Sequence, residues 1–163
     1  MKPILSPHLH WFLAGVCVYP FLSKIRMIGH TLHFLSVVEH EVIHGFAAVF
    51  LGGRFLGFRV TPYGGQADIT KSNWFIRLAP YFCPLFTIAF LCLTLSSILD
   101  IRPVFLVSSG LFYGNFLSFN TSSLRVRQPD ILNTAPLVLV YPVLIMLNLL
   151  VAFLLGFILF RLP

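Results

Sequence analysis

The chain has 163 residues, 58% of them hydrophobic and only 10% charged, with a net charge of +6 and a mean hydropathy of +0.91. A soluble domain carries about a quarter charged residues, so this composition excludes an ordinary soluble protein and sets the expectation of an integral, multi-pass membrane protein. The length allows a single domain over 1–163 with about five spans at ~20 residues each, and no basic helix face with interleaved aromatics points to nucleic acid.

The first apolar run is Ile4 to Leu22, interrupted by Pro7, His8, His10 and Pro20, with Trp11 placed as an interfacial anchor. It either crosses the bilayer or lies partly in the interface. No small-residue cleavage site follows it, so a retained anchor is expected rather than a removed signal peptide. Lys24 and Arg26 close it, and a second span runs from Met27 to Leu51. Inside that span stands His40-Glu41-Val42-Ile43-His44, a complete H-E-x-x-H. Residues four apart lie on one face of a helix, so two imidazoles reach the same ion. The glutamate beside the first histidine is then set to take a proton from water on that ion. Ionisable side chains are expensive in a membrane segment and are functional there by default. A zinc site is therefore the better reading than a pair of hydrogen-bonded core histidines. His33 shares the face of His40 and His44 but lies about 10 Å from His40 along the axis. With His30 it reads as a water-facing polar stripe.

Gly52-Gly53 ends this helix, and the stretch from Arg54 to Ile69 changes character. Polar and apolar residues partly alternate around the turn chemistry of Pro62 to Gly65, which predicts two short strands in a hairpin. An open sheet cannot face lipid, so the hairpin belongs at the interface or in a cavity between helices. Further spans are expected over Leu78–Leu99, Val104–Phe119 and Pro136–Phe160, with a tight turn at Asp100–Pro103 and a polar connection over Asn120–Thr134. Ser108, Ser109, Gly110, Gly114 and Asn115 suit an inner helix, because small residues let helices approach closely. Cys17, Cys83 and Cys92 lack C-x-x-C spacing and lie in apolar runs, so they are expected to be buried thiols. The fold class is thus an all-α polytopic membrane protein of about five transmembrane helices, with a short β-hairpin after the zinc-binding helix.

A catalytic zinc takes three protein ligands and keeps one open position. With His40 and His44 assigned, the third must come from the few acids. Seven of the eleven Lys and Arg residues fall on the N-terminal side, in loop 52–77 and in loop 120–135. The positive-inside rule puts that group in the cytoplasm. Asp130 and Asp68 share that side and Asp100 does not. Asp130 opens a helical turn at Pro129–Asn133, which holds a ligand more rigidly than a hairpin does, so it is favoured over Asp68. The plainer reading of Asp130 is a helix cap or a partner of Arg125 or Arg127.

Taken together, Met27 to Leu99 resembles the site-2 protease family of intramembrane zinc metalloproteases. The resemblance rests on the H-E-x-x-H, on Gly45-Phe46-Ala47-Ala48 and Gly52-Gly53, on the strand-like Phe58-Arg59-Val60 leading to Gly64-Gly65, and on Arg77-Leu78-Ala79-Pro80. It implies a compact catalytic core in which zinc is held by His40, His44 and a later aspartate, with Glu41 as the acid–base group. The family aspartate stands in an L-D-G sequence, whereas Asp130 stands in Gln128-Pro129-Asp130-Ile131. The resemblance also implies that the hairpin lines the cleft and that Gly64 and Gly65 receive an unwound substrate strand by β-augmentation. The expected function is zinc-dependent hydrolysis of a peptide bond in or near a transmembrane segment of a membrane-protein substrate, with the lipid bilayer as the other partner. In a prokaryote the location would be the cell membrane. The rivals are a non-proteolytic membrane protein that keeps the metal for handling or scaffolding, and a transporter, against which the lack of repeat symmetry weighs. A closed structural site would need a fourth ligand and no Glu41.

Overall fold

A computed structural model describes residues 7–61, 64–96, 101–126 and 128–162. The chain is mostly helical, with one short antiparallel sheet. Helix α1 (Pro7–Leu22) leads into α2 (Arg26–Phe50), and the two meet at an angle of 117° across Ser23–Ile25. A hairpin of β1 (Phe55–Thr61) and β2 (Gly64–Ile69) follows. Helix α3 (Trp74–Leu78) and a 3-10 turn at Ala79–Tyr81 come next, and then α4 (Leu85–Ser96), α5 (Arg102–Arg125), the single turn α6 (Pro129–Leu132) and α7 (Leu137–Arg161).

Helix α2 stops where the sequence places its glycines. Gly52 adopts φ +81°. Its N–H bonds to the Val49 carbonyl at 3.0 Å, and the Gly53 N–H bonds to the Ala48 carbonyl at 2.8 Å. This Schellman arrangement satisfies the last carbonyls and turns the chain into β1. The hairpin pairs Phe58 with Ala67, Arg59 with Gln66 and Val60 with Gly65, with an irregularity between Phe55 and Gly57. Its tip, Pro62-Tyr63, lies outside the described residues, as does Asp100. The hairpin sits on α2 through two glycines. A Cβ at Gly45 would run into the Phe55 ring, at 2.6 Å, and one at Gly65 into the Glu41 side chain, at 2.5 Å.

The deepest helix pair is α1 on α5. A Cβ at Gly15 would overlap the Val107 carbonyl, and one at Gly110 the Phe12 carbonyl, so the two backbones touch at small residues. Ser109, Gly110, Gly114 and Asn115 are buried, and Ser109 donates to the Thr87 carbonyl at 3.0 Å. Three apolar clusters frame the rest. One joins α1, α4, α5 and α7 through Phe12, Leu91, Leu106 and Leu159. A second joins α2 to α3 through Ile43, Ala48 and Ile76. The third gathers Leu78, Tyr81, Ile131, Val140 and Leu144, and fixes the α6 turn between the 3-10 turn and α7.

One helix among the described residues, α7, is by itself long and apolar enough to cross a membrane, and counting each bent pair as one span brings the number to three. Hydropathy along the sequence leads to an expectation of about five. The first run is only 16 residues of helix and turns away from α2. The run from Leu78 is broken before Pro84, leaving α4 with 12 residues, about 18 Å at the helical rise and short of the ~30 Å hydrocarbon core. Helices α2 and α5 are long enough, at 25 and 24 residues, but their polar side chains lower the hydropathy. The thiols also differ from expectation: Cys17 and Cys92 are exposed and Cys83 is half-buried, because the first two lie on outward faces of their apolar helices.

Candidate metal centre

His40 and His44 project from one face of α2, with ring centroids 4.9 Å apart. The α6 turn brings Asp130 to them. Its Oδ2 lies 3.5 Å from His40 Nε2 and 3.3 Å from His44 Nε2. The three side chains form a group that could hold a metal ion, with one ligand atom each and all within 4.8 Å of one another. The spacing itself is informative. N–H···O hydrogen bonds have donor–acceptor distances of about 2.7–3.2 Å, so these two contacts are long for direct bonds. Ligands about 2.0–2.1 Å from a shared tetrahedral ion stand about 3.3 Å apart along the tetrahedron's edge. The donor set and its spacing therefore fit an ion at the centre.

The orientation of His44 fits as well. Its Nδ1 lies 2.8 Å from the Ile76 carbonyl oxygen. A carbonyl only accepts, so Nδ1 carries the proton and Nε2 offers its lone pair to the site. Ile76 is held in turn by the Asn73 cap, whose Oδ1 accepts from the Ile76 N–H at 2.9 Å. Asp130 is fixed from two sides. Thr134 Oγ1 donates to the Asp130 carbonyl at 2.6 Å, and the Arg77 guanidinium donates to the Asn133 carbonyl. Burial disfavours the ionised Asp130 carboxyl, but the facing imidazoles of His40 and His44 outweigh it and hold the group below the usual carboxylate range.

Asp68 is elsewhere. It lies on β2 with its carboxylate 3.8 Å from the Arg59 guanidinium, both largely open to solvent, and it is not part of the metal group. Glu41 is 6% exposed, with its side chain lying against Gly65 of β2. Gly64, Gly65, Glu41 and the three metal-group residues line one cleft of about 570 Å³. Its far wall is polar, with His33, Ser36, Asn115 and Ser118, and Asn115 Nδ2 donates to Ser36 Oγ at 2.7 Å. The histidine stripe thus continues as the wall of a polar cavity through His33, a setting that suits water.

Sequence reasoning gives no structural role to three contributors. Glu39 is 4% exposed, and its Oε1 accepts from the Phe86 N–H at 2.8 Å, so it pins the start of α4 to α2. Arg77 enters the sequence reading only as a loop charge and as the first residue of Arg77-Leu78-Ala79-Pro80. Tyr81, 1% exposed, stands with its ring edge-on to His40 at 5.2 Å between centroids. The only sequence signal for it is its position one residue after Pro80 in the segment that breaks the helix. Comparison with protein-family models, with curated proteins and with solved structures gives no match, so the functional reading rests on the residues of the site.

Proposed function

We propose that the protein is a zinc-dependent intramembrane endopeptidase of the site-2 protease type, hydrolysing a peptide bond in or near a transmembrane segment of a membrane-protein substrate. The observation that carries this reading is the meeting of His40, His44 and Asp130 beside Glu41, on a cleft edged by the β-hairpin. Two imidazoles and one carboxylate make the three-ligand set of a catalytic zinc, and the metal group has three members among the described residues. A zinc ion held there supplies Lewis acidity, bringing the pKa of a bound water toward neutrality and polarising a carbonyl.

The chain's own groups do the rest. Glu41 takes up the proton of the attacking water on its carboxylate and delivers it to the leaving amine. The Ile76 carbonyl holds the His44 ring in place. A helical substrate hides its carbonyls in internal hydrogen bonds, so it unwinds locally before cleavage. Gly64 and Gly65, without side chains, offer a strand edge that an extended segment approaches closely. In this proposal α7 crosses the bilayer and the two bent pairs lie within it. Exposed Val138, Met146, Phe153 and Phe160 on α7 are the surface that lipid would cover.

The test is cleavage of a panel of single-span proteins by the purified protein in lipid nanodiscs. Cleavage lost on chelation and restored by zinc supports the proposal. A zinc-loaded protein that leaves the whole panel intact would contradict it.

A further inference from the structure

The two histidines of the metal group differ in one respect. His44 Nδ1 has the Ile76 carbonyl oxygen at 2.8 Å, whereas His40 Nδ1 is buried with no hydrogen-bond partner among the described residues. A histidine that binds metal through Nε2 carries its proton on Nδ1 and almost always donates it to a nearby acceptor, which fixes the ring and raises its basicity. Among the described residues three rings touch His40: His44 at 4.9 Å, Tyr81 at 5.2 Å and Phe119 at 5.9 Å between centroids. Of these only Tyr81 carries an oxygen. Its hydroxyl is likewise buried with no hydrogen-bond partner among the described residues. Two orphaned polar atoms, one a donor and one able to accept, thus sit on neighbouring rings 5.2 Å apart between centroids.

We propose that the Tyr81 hydroxyl is the acceptor for His40 Nδ1–H in the metal-bound protein, which makes Tyr81 a positioning residue for the first ligand of the metal group. The inference rests on the metal site argued above but not on peptidase activity. One bond between Oη and Nδ1 satisfies both orphans, and because both atoms are buried, leaving them unpaired is costly. The fold holds Tyr81 in place from three elements. Asn120 of α5 and Asn148 of α7 both donate Nδ2 hydrogens to the Tyr81 carbonyl, each at 2.9 Å. Asn148 is the one amide inside the otherwise apolar α7, so a polar group that is expensive in such a helix is spent on this carbonyl. Around the ring, Leu78, Ile131 and Val140 close the apolar cluster, and Ile131 adjoins Asp130. The same packing that seats the carboxylate ligand therefore seats the partner of the first histidine.

The test uses the whole chain in nanodiscs, with zinc itself as the probe. Tyr81→Phe removes only the hydroxyl and should weaken zinc binding by about 10–100-fold, with the melting temperature of the metal-free protein unchanged. Phe119→Leu, which alters the other aromatic neighbour but removes no acceptor, should change zinc affinity by less than about 3-fold. In ¹⁵N-histidine spectra of the zinc-loaded wild type, the His40 Nδ1–H should be protected from exchange, and Tyr81→Phe should lose that protection. Wild-type zinc affinity in Tyr81→Phe would overturn the inference, even if turnover fell, because the hydroxyl would then serve the substrate. Equal weakening by Phe119→Leu would also overturn it, as a packing effect. If the wild type bound no zinc, the metal reading itself would fall and this inference with it; a wild type that binds zinc while Tyr81→Phe matches it refutes the inference alone.

Discussion

Asp130→Ala offers a quantitative test of how the site is built. The carboxylate is one of three side chains in the metal group, delivered by a four-residue turn far along the chain from α2. Four-ligand structural zinc sites bind with about 10–16 kcal/mol, or about 2.5–4 kcal/mol per ligand. At 1.4 kcal/mol per decade, losing one ligand should weaken binding by about 10²–10³-fold. The Asp130 side chain is 34% exposed, so water can take the vacated ligand position and the lower end of that range is expected. Competition with a chromophoric chelator measures it, on protein whose helix content and melting temperature are checked first. Asp68→Ala is the paired control, because Asp68 faces Arg59 on the exposed side of the hairpin; its zinc affinity should match the wild type. A loss well below about 100-fold for Asp130→Ala, in the range of a group that only orients a ligand, would place it outside the set of direct ligands. A comparable loss for Asp68→Ala would refute the assignment.

Three further outcomes follow from the same geometry. Gly65→Val adds branched carbons at a position where even a Cβ would come within 2.5 Å of the Glu41 side chain, so turnover should fall by at least about 10-fold with zinc content retained, measured as cleavage rate against metal analysis. Cysteine placed at Gln66, on β2, should resist an impermeant thiol reagent applied outside intact cells if loop 52–77 faces the cytoplasm, as the count of basic residues proposes; efficient labelling would invert that orientation and leave the metal site untouched. The Asp130 carboxyl titrates below its ordinary range in the fold, so in metal-free protein it contributes stability above its unfolded pKa of about 4, lost as the pH falls through the lower folded value. Asp130→Asn should therefore lose less melting temperature than the wild type on going from about pH 6 to about pH 3, and an equal loss would contradict that sign.

The parts legible in the sequence are those governed by local spacing. The i, i+4 histidines, the double glycine that ends α2 and the strand pattern of the hairpin all act over a few residues, and the structure places each accordingly. Asp130 is legible through scarcity: with five acidic residues in the chain, side narrows the choice to Asp130 and Asp68, and rigidity favours Asp130. The bends are not legible. Lys24 and Arg26 mark the end of the first run, and Pro80 and Pro84 stand near the start of the run at 78–99, but the 117° angle between α1 and α2 and the size of the break before Pro84 depend on what those segments pack against. The polar tethers are equally hidden. Asn120 and Asn148 meet at the Tyr81 carbonyl across sequence separations of 39 and 67, and Glu39 reaches α4 across 47. No periodicity encodes a bond over such distances.

The most direct measurement of the central claim is zinc content and cleavage on the same preparations of wild type and Glu41→Gln. Gln keeps the size of the side chain and cannot hold the proton. The account predicts one zinc per chain in both proteins, cleavage of a single-span substrate by the wild type, and none above background by Glu41→Gln. A Glu41→Gln protein that cleaves at the wild-type rate would contradict it.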